Sequence, residues 1–180
     1  MDSEKLNRLV NEVSTNYDMF DNFVDTILNE NCSDLRNLLT CIKRDVVDTP
    51  DAALVTIESY FLELTNMLFF LGEKLEKVGF QASIAKQNYQ TCYNNAYIRI
   101  QGEKEGGKAP TVAVITAKAE LETIEESLLM EAYQKAYSIF KTEISAANTM
   151  VSSLSKALSR RMSENNLTDS NLVSRRLLNE

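Results

Sequence analysis

The chain has 180 residues, enough for one domain with a sizeable core. Hydrophobic residues make up 44% and charged residues 25%, a globular balance that excludes a disordered chain. The net charge of −7 argues against general attraction to nucleic acid, and the lack of histidine removes the commonest general acid/base and the commonest transition-metal ligand. No catalytic residue, metal site or cofactor is therefore expected. Cys32, Cys41 and Cys92 are odd in number and widely spaced, which fits reduced thiols. The apolar run Met67-Leu71 is far too short to cross a membrane, and the charged start has no apolar signal-peptide core, so a cytoplasmic protein is expected.

In the first segment Leu6, Leu9, Val10, Val13, Tyr17, Phe20, Phe23, Val24, Ile27 and Leu28 advance by threes and fours, the mark of a helix with one buried stripe. The polar run 29–34 reads as its end, with Ser33 or Asp34 capping a shorter helix lined by Leu35, Leu38, Leu39, Ile42 and Val46. The run Asp48-Thr49-Pro50-Asp51 reads as the next helix start, because Thr49 offers a capping hydroxyl and Pro50 suits the first turn. Residues 53–80 are apolar on most of the circumference, which places this helix at the centre of the core; Gly72 and Gly79 are candidate kinks. The pattern continues through Ile84, Tyr89, Tyr93, Tyr97 and Ile100.

Residues 99–110 then hold three of the five glycines and one of the two prolines. Gly102-Lys108 fits the first seven places of a phosphate-binding loop, but the eighth is Ala109, without a hydroxyl for magnesium, and Pro110 follows where helix N–H groups are needed. Glu103 and Glu105 would also repel a polyphosphate. The stretch reads instead as the connection between two long antiparallel helices, its glycines ending one and Pro110 with Thr111 starting the other.

From Val114 to Leu158 apolar residues step by three and four, a seam about 65 Å long. Much of it is alanine, and Tyr133, Tyr137 and Phe140 form a second stripe beside it. Two such faces suggest a homo-oligomer with Tyr133, Tyr137, Phe140, Val151, Leu154 and Leu158 at the subunit interface; a long helix within a monomeric bundle is the competing reading. The expected architecture is all-α, an elongated helical bundle with a long antiparallel hairpin. Its parts are acidic N-terminal helices (1–79), the hairpin (80–163) with the Gly-rich loop (101–110), and a linker with a short C-terminal helix (164–180).

Charge is uneven. Residues 1–79 hold seven Lys/Arg against fifteen Asp/Glu, and residues 80–180 hold twelve against eleven. The cations gather around the loop, at Lys86, Arg99, Lys104, Lys108 and Lys118, and near the end of the long helix, at Lys156, Arg160 and Arg161. In a monomer these are scattered solvated charges; repeated around a ring they make a basic track that follows a phosphate backbone without reading sequence. Lys156, Arg160 and Arg161 also suit the negative end of a helix. Tyr89, Tyr93 and Tyr97 share one face, either as core residues or as platforms for bases.

Taken together, residues 86–162 resemble the UvsY-like recombination mediators of tailed bacteriophages. The resemblance is carried by a lysine- and tyrosine-rich helix (86–100), the charged Gly-rich loop, a long helix with "EAYQKAYSIF" at its middle, and the basic end "SSLSKALSRRM". Where the family has a basic-x-basic pair before the loop, this chain has Asn94, Asn95 and Ala96, leaving Lys86 and Arg99 as substitutes. The resemblance implies a helical, ring-forming, non-enzymatic protein. Its implied partners are single-stranded DNA, a RecA-like recombinase and a single-strand-binding protein. The alternative is a phage structural or protein-interaction module that oligomerises through its long helices without nucleic acid.

Overall fold

The structure, a computed structural model, describes the backbone of residues 3–103 and 109–177 and the side chains of residues 18–103 and 109–164. It is all-helical: α1 (Ser3–Ile42), a π-turn (Lys43–Val47), α2 (Leu54–Gly102), α3 (Val112–Glu122) and α4 (Ile124–Leu177). No strand occurs among the described residues.

Three long helices bury side chains at a spacing of seven. Leu28, Leu35 and Ile42 do so on α1, Ile57, Leu64, Leu71 and Val78 on α2, and Phe140, Ala147 and Leu154 on α4. Such repeats keep one seam facing a neighbouring helix over many turns. The seam also explains why α1 does not end at residues 29–34 as expected. Cys32 and Leu35 are fully buried and carry the stripe across, while Asn29, Glu30, Ser33 and Asp34 face solvent. Polar residues on the outer face of a helix do not terminate it.

The real interruption comes at the π-turn, where the Asp48 N–H donates to the Lys43 carbonyl at 2.8 Å. Thr49 does not cap the following helix; its hydroxyl donates back to the Arg44 carbonyl at 3.0 Å, and α2 begins only at Leu54. Neither Gly72 nor Gly79 interrupts α2. This helix is not the centre of the core. It buries a single seam, and Val55, Leu62, Phe69, Phe70 and Phe80 are exposed.

The long helix expected after Pro110 is divided at Thr123, the one buried polar side chain among the described residues. Its hydroxyl donates to the Ala119 carbonyl at 2.8 Å and its backbone sits at φ −112°, ψ 23°. A threonine bonding back to the preceding turn is a known cause of helix bending. At the other end α4 runs on to Leu177, with no break for the expected linker at 164–170, a stretch with neither glycine nor proline.

The chain forms two compact units: Met1–Glu30 with Lys74–Phe140, and Asn31–Glu73 with Lys141–Glu180. Both draw on residues from either side of the 79/80 boundary read from composition. In the first, alanines bring helices close: Ala82, Ala85 and Ala96 on α2, Ala119 on α3, Ala132 and Ala136 on α4. Ala96, Ile100, Ile115 and Ala119 make one cluster, with Tyr93 and Tyr97 packed against it. Phe23 and Tyr133 meet edge to face at 5.3 Å. The Tyr137 ring lies so close to Gly79 that a Cβ there would come within 2.9 Å of it.

The second unit is held by Cys32, Leu35, Leu38, Ile42, Ile57, Leu64, Ala147 and Leu154. Two polar ties supplement that core. Arg36 donates from Nε (3.0 Å) and Nη2 (2.5 Å) to Glu143 Oε1. Asp45 accepts from Arg44 at 2.6 and 2.9 Å and from the Tyr60 hydroxyl at 2.6 Å, joining the π-turn to α2.

Candidate nucleic-acid interface

The cations expected to meet DNA fall into two groups, one in each unit. In the first unit Lys86 is exposed on α2 and borders an open hollow of 470 Å³, together with Glu76, Gly79, Ser83 and Tyr137. Arg99, one turn from the end of α2, is held by acids. Nη1 donates to Glu103 Oε1 at 2.7 Å, and Nη2 donates to both oxygens of Glu122. The Glu122 carboxylate, by hydrogen bond and then by charge, raises the guanidinium pKa above its ordinary value. Lys118 is half-buried on α3. Lys104 and Lys108 lie outside the described residues.

In the second unit Lys156 is exposed on α4. Arg160 is 81% exposed and donates to Glu164 Oε1 at 2.8 Å. That hydrogen bond, more than any other cause, pulls the Glu164 carboxyl below its usual range. Arg161 differs. Only 30% exposed, it donates to the Pro50 carbonyl, reaches Glu164 Oε2 at 3.3 Å, and stands 3.8 Å from Asp51 Oδ1. It ties the 50–51 turn to α4.

The tyrosine face lies between its two readings. Tyr89, Tyr93 and Tyr97 are all half-buried, with successive ring centroids 6.0 and 6.2 Å apart and planes tilted by 44° and 37°. One side of Tyr93 and Tyr97 is spent on the cluster around Ile100. Among the expected subunit-interface residues, Phe140 is fully buried and Leu154 nearly so, inside their own chain. A side chain without exposed surface offers nothing to a neighbouring subunit, and these two are corrected to core. Tyr133, Tyr137, Val151 and Leu158 are half-buried.

Sequence reasoning missed the exposed apolar positions of α2. Their signal was present: Val55, Leu62 and Phe69 repeat every seven residues, two places ahead of the buried Ile57, Leu64 and Leu71. One helix therefore carries two apolar stripes, and only one is covered. Among the described residues no group of acids and cysteines is arranged to hold a metal ion. Comparison with protein-family models, with curated proteins and with solved structures gave no match for this chain.

Proposed function

We propose that this chain is a non-enzymatic, single-stranded-DNA-binding protein of the recombination-mediator kind, working in the host cytoplasm with a RecA-like recombinase and a single-strand-binding protein. Its contact is with the phosphate backbone, through Lys86, Arg99, Lys104, Lys108, Lys118, Lys156, Arg160 and Arg161. One observation carries the reading. Arg99 and Arg160 are positioned on long helices by carboxylates that are themselves exposed, so a phosphate can take the carboxylate's place without uncovering a buried charge.

The proposal includes a homo-oligomer, a ring in the family it resembles, because a subunit of net charge −7 gains a usable basic surface only by repetition. It also includes an antiparallel hairpin across the Gly-rich loop. In support, Ile100 clusters with Ile115, Arg99 meets Glu122 and Gly79 meets Tyr137, so that partner numbers rise on one side as they fall on the other.

The test is anisotropy of a labelled oligothymidine at several salt concentrations. Affinity should fall with log-log slope of about −0.7 per phosphate contacted. Reversing Lys156 and Arg160 together to glutamate should weaken binding while leaving the melting temperature in place. The second reading, a protein-interaction module without nucleic acid, is favoured by the same ion pairs taken as permanent. It would be established by absence of binding at low salt together with a multimer in sedimentation.

A further inference from the structure

We propose that the face of α2 bearing Val55, Leu62, Phe69 and Phe70 docks a basic amphipathic helix of a partner protein. These side chains are 74%, 54%, 80% and 66% exposed. Val55, Leu62 and Phe69 follow one another at seven-residue steps, so they line one side of the helix, and Phe70 packs edge to face on Phe69 with centroids 5.4 Å apart at 87°. All four belong to one unit, Asn31–Glu73 with Lys141–Glu180.

The size of the face suits a specific interface. At roughly 200 Å² for a phenylalanine and about 150 Å² for valine or leucine, the exposed apolar area is about 500 Å². A standard interface takes about 800 Å² from each partner, of which about 60% is apolar, so these four side chains supply the apolar share. Singly scattered surface hydrophobes need no explanation; three at one helical phase, the last in ring contact with a second exposed phenylalanine, mark an interaction site.

Charge selects the occupant. Residues 54–73 contain Glu58, Glu63 and Glu73, all exposed, and no lysine or arginine. A second copy laid on the same face would oppose acid to acid, since a two-fold contact pairs a surface with itself. An anionic lipid surface would be repelled likewise, and helices that lie on membranes carry Lys/Arg on their polar face. This matters because an 18-residue stretch of α2 reaches a mean hydropathy of 1.3 with 17% of it buried, apolar enough by composition to span a bilayer. A helix with an apolar stripe flanked by lysine and arginine satisfies both the aromatic centre and the acidic rim.

The inference does not depend on DNA binding and is tested apart from it. The probe is a labelled synthetic helix of about 20 residues, leucine at i, i+3, i+4 and i+7 and lysine elsewhere, beside the same peptide with glutamate for lysine. The full chain should bind the lysine peptide, and Phe69→Ser with Phe70→Ser should weaken it by about tenfold or more with the melting curve unchanged. Val55→Ser with Leu62→Ser is the independent second pair. Glu58→Lys with Glu63→Lys should shift preference to the glutamate peptide. Affinity for oligothymidine should be the same in the wild type and both serine variants. Equal binding of both peptides, or equal binding by wild type and serine variants, overturns the proposal. So does a wild-type dimer that Phe69→Ser with Phe70→Ser makes monomeric, which gives the face to a second copy. Flotation of wild type but not this variant with phosphatidylglycerol vesicles would give it to lipid.

Discussion

Gly72 and Gly79 stand two turns apart in one helix and should respond oppositely to a methyl group. Nothing lies within 4 Å of a Cβ at Gly72, so Gly72→Ala gains the helix propensity of alanine, about 0.5–1 kcal/mol. At Gly79 the same change meets the Tyr137 ring at 2.9 Å, and the gain should be absent or reversed. Urea unfolding of both variants decides the matter, and in a Tyr137→Ala background Gly79→Ala should become stabilising. From sequence both glycines looked alike, because no pattern in α2 says where a distant aromatic will fall. Arg160 and Arg161 make a similar pair. Arg161→Ala should lower the melting temperature by about 2–4 °C through loss of its tie to the Pro50 carbonyl, whereas Arg160→Ala should not move it. Asp45 supplies a pH dependence. Its carboxyl is lowered to about 2, first by the Arg44 hydrogen bond and then by that of Tyr60. A depressed folded pKa contributes stability above the ordinary carboxylate value of about 4, and that contribution is lost as pH falls through about 2. In acid titrations the small stability gap between wild type and Asp45→Asn should be open at pH 5 and close toward pH 2.

At the scale of the helix, the apolar period was the legible part. Val24, Ile27 and Leu28, or Leu35, Leu38 and Ile42, could be placed on stripes without a structure, because burial enforces the period. Boundaries were less legible. The polar run 29–34 looked like a terminus, but its polar residues occupy the solvent face and Cys32 and Leu35 occupy the seam. Thr49 looked like a cap and instead closes the π-turn. The break at Thr123 has no signature, since a threonine back-bonds or not according to its burial. Nor does period say which of two apolar stripes on α2 is covered, and the choice of the wrong breadth put that helix in the middle. Phe140, assigned by its place beside Tyr133 and Tyr137 to a subunit contact, is fully buried. Phe140→Ala should therefore cost about 3–5 kcal/mol in denaturant unfolding, at a single protein concentration or at many. A subunit-contact residue would show a cost that shrinks on dilution.

For the molecule as a whole, the cations of the expected DNA track could be read from the sequence but their pairing could not. Glu122 is 23 residues from Arg99, and the proximity depends on how α2 and α3 meet. Exposed pairs of this sort orient a guanidinium without immobilising it, and salt that screens them also screens a phosphate. The absence of lysine and arginine from residues 54–73 has a further consequence for finding what binds there. Carbodiimide activation of Glu58 or Glu63 creates an O-acylisourea, and residues 54–73 hold no lysine to capture it. A zero-length amide joining either glutamate to a peptide whose sequence is not this chain's would identify the visitor.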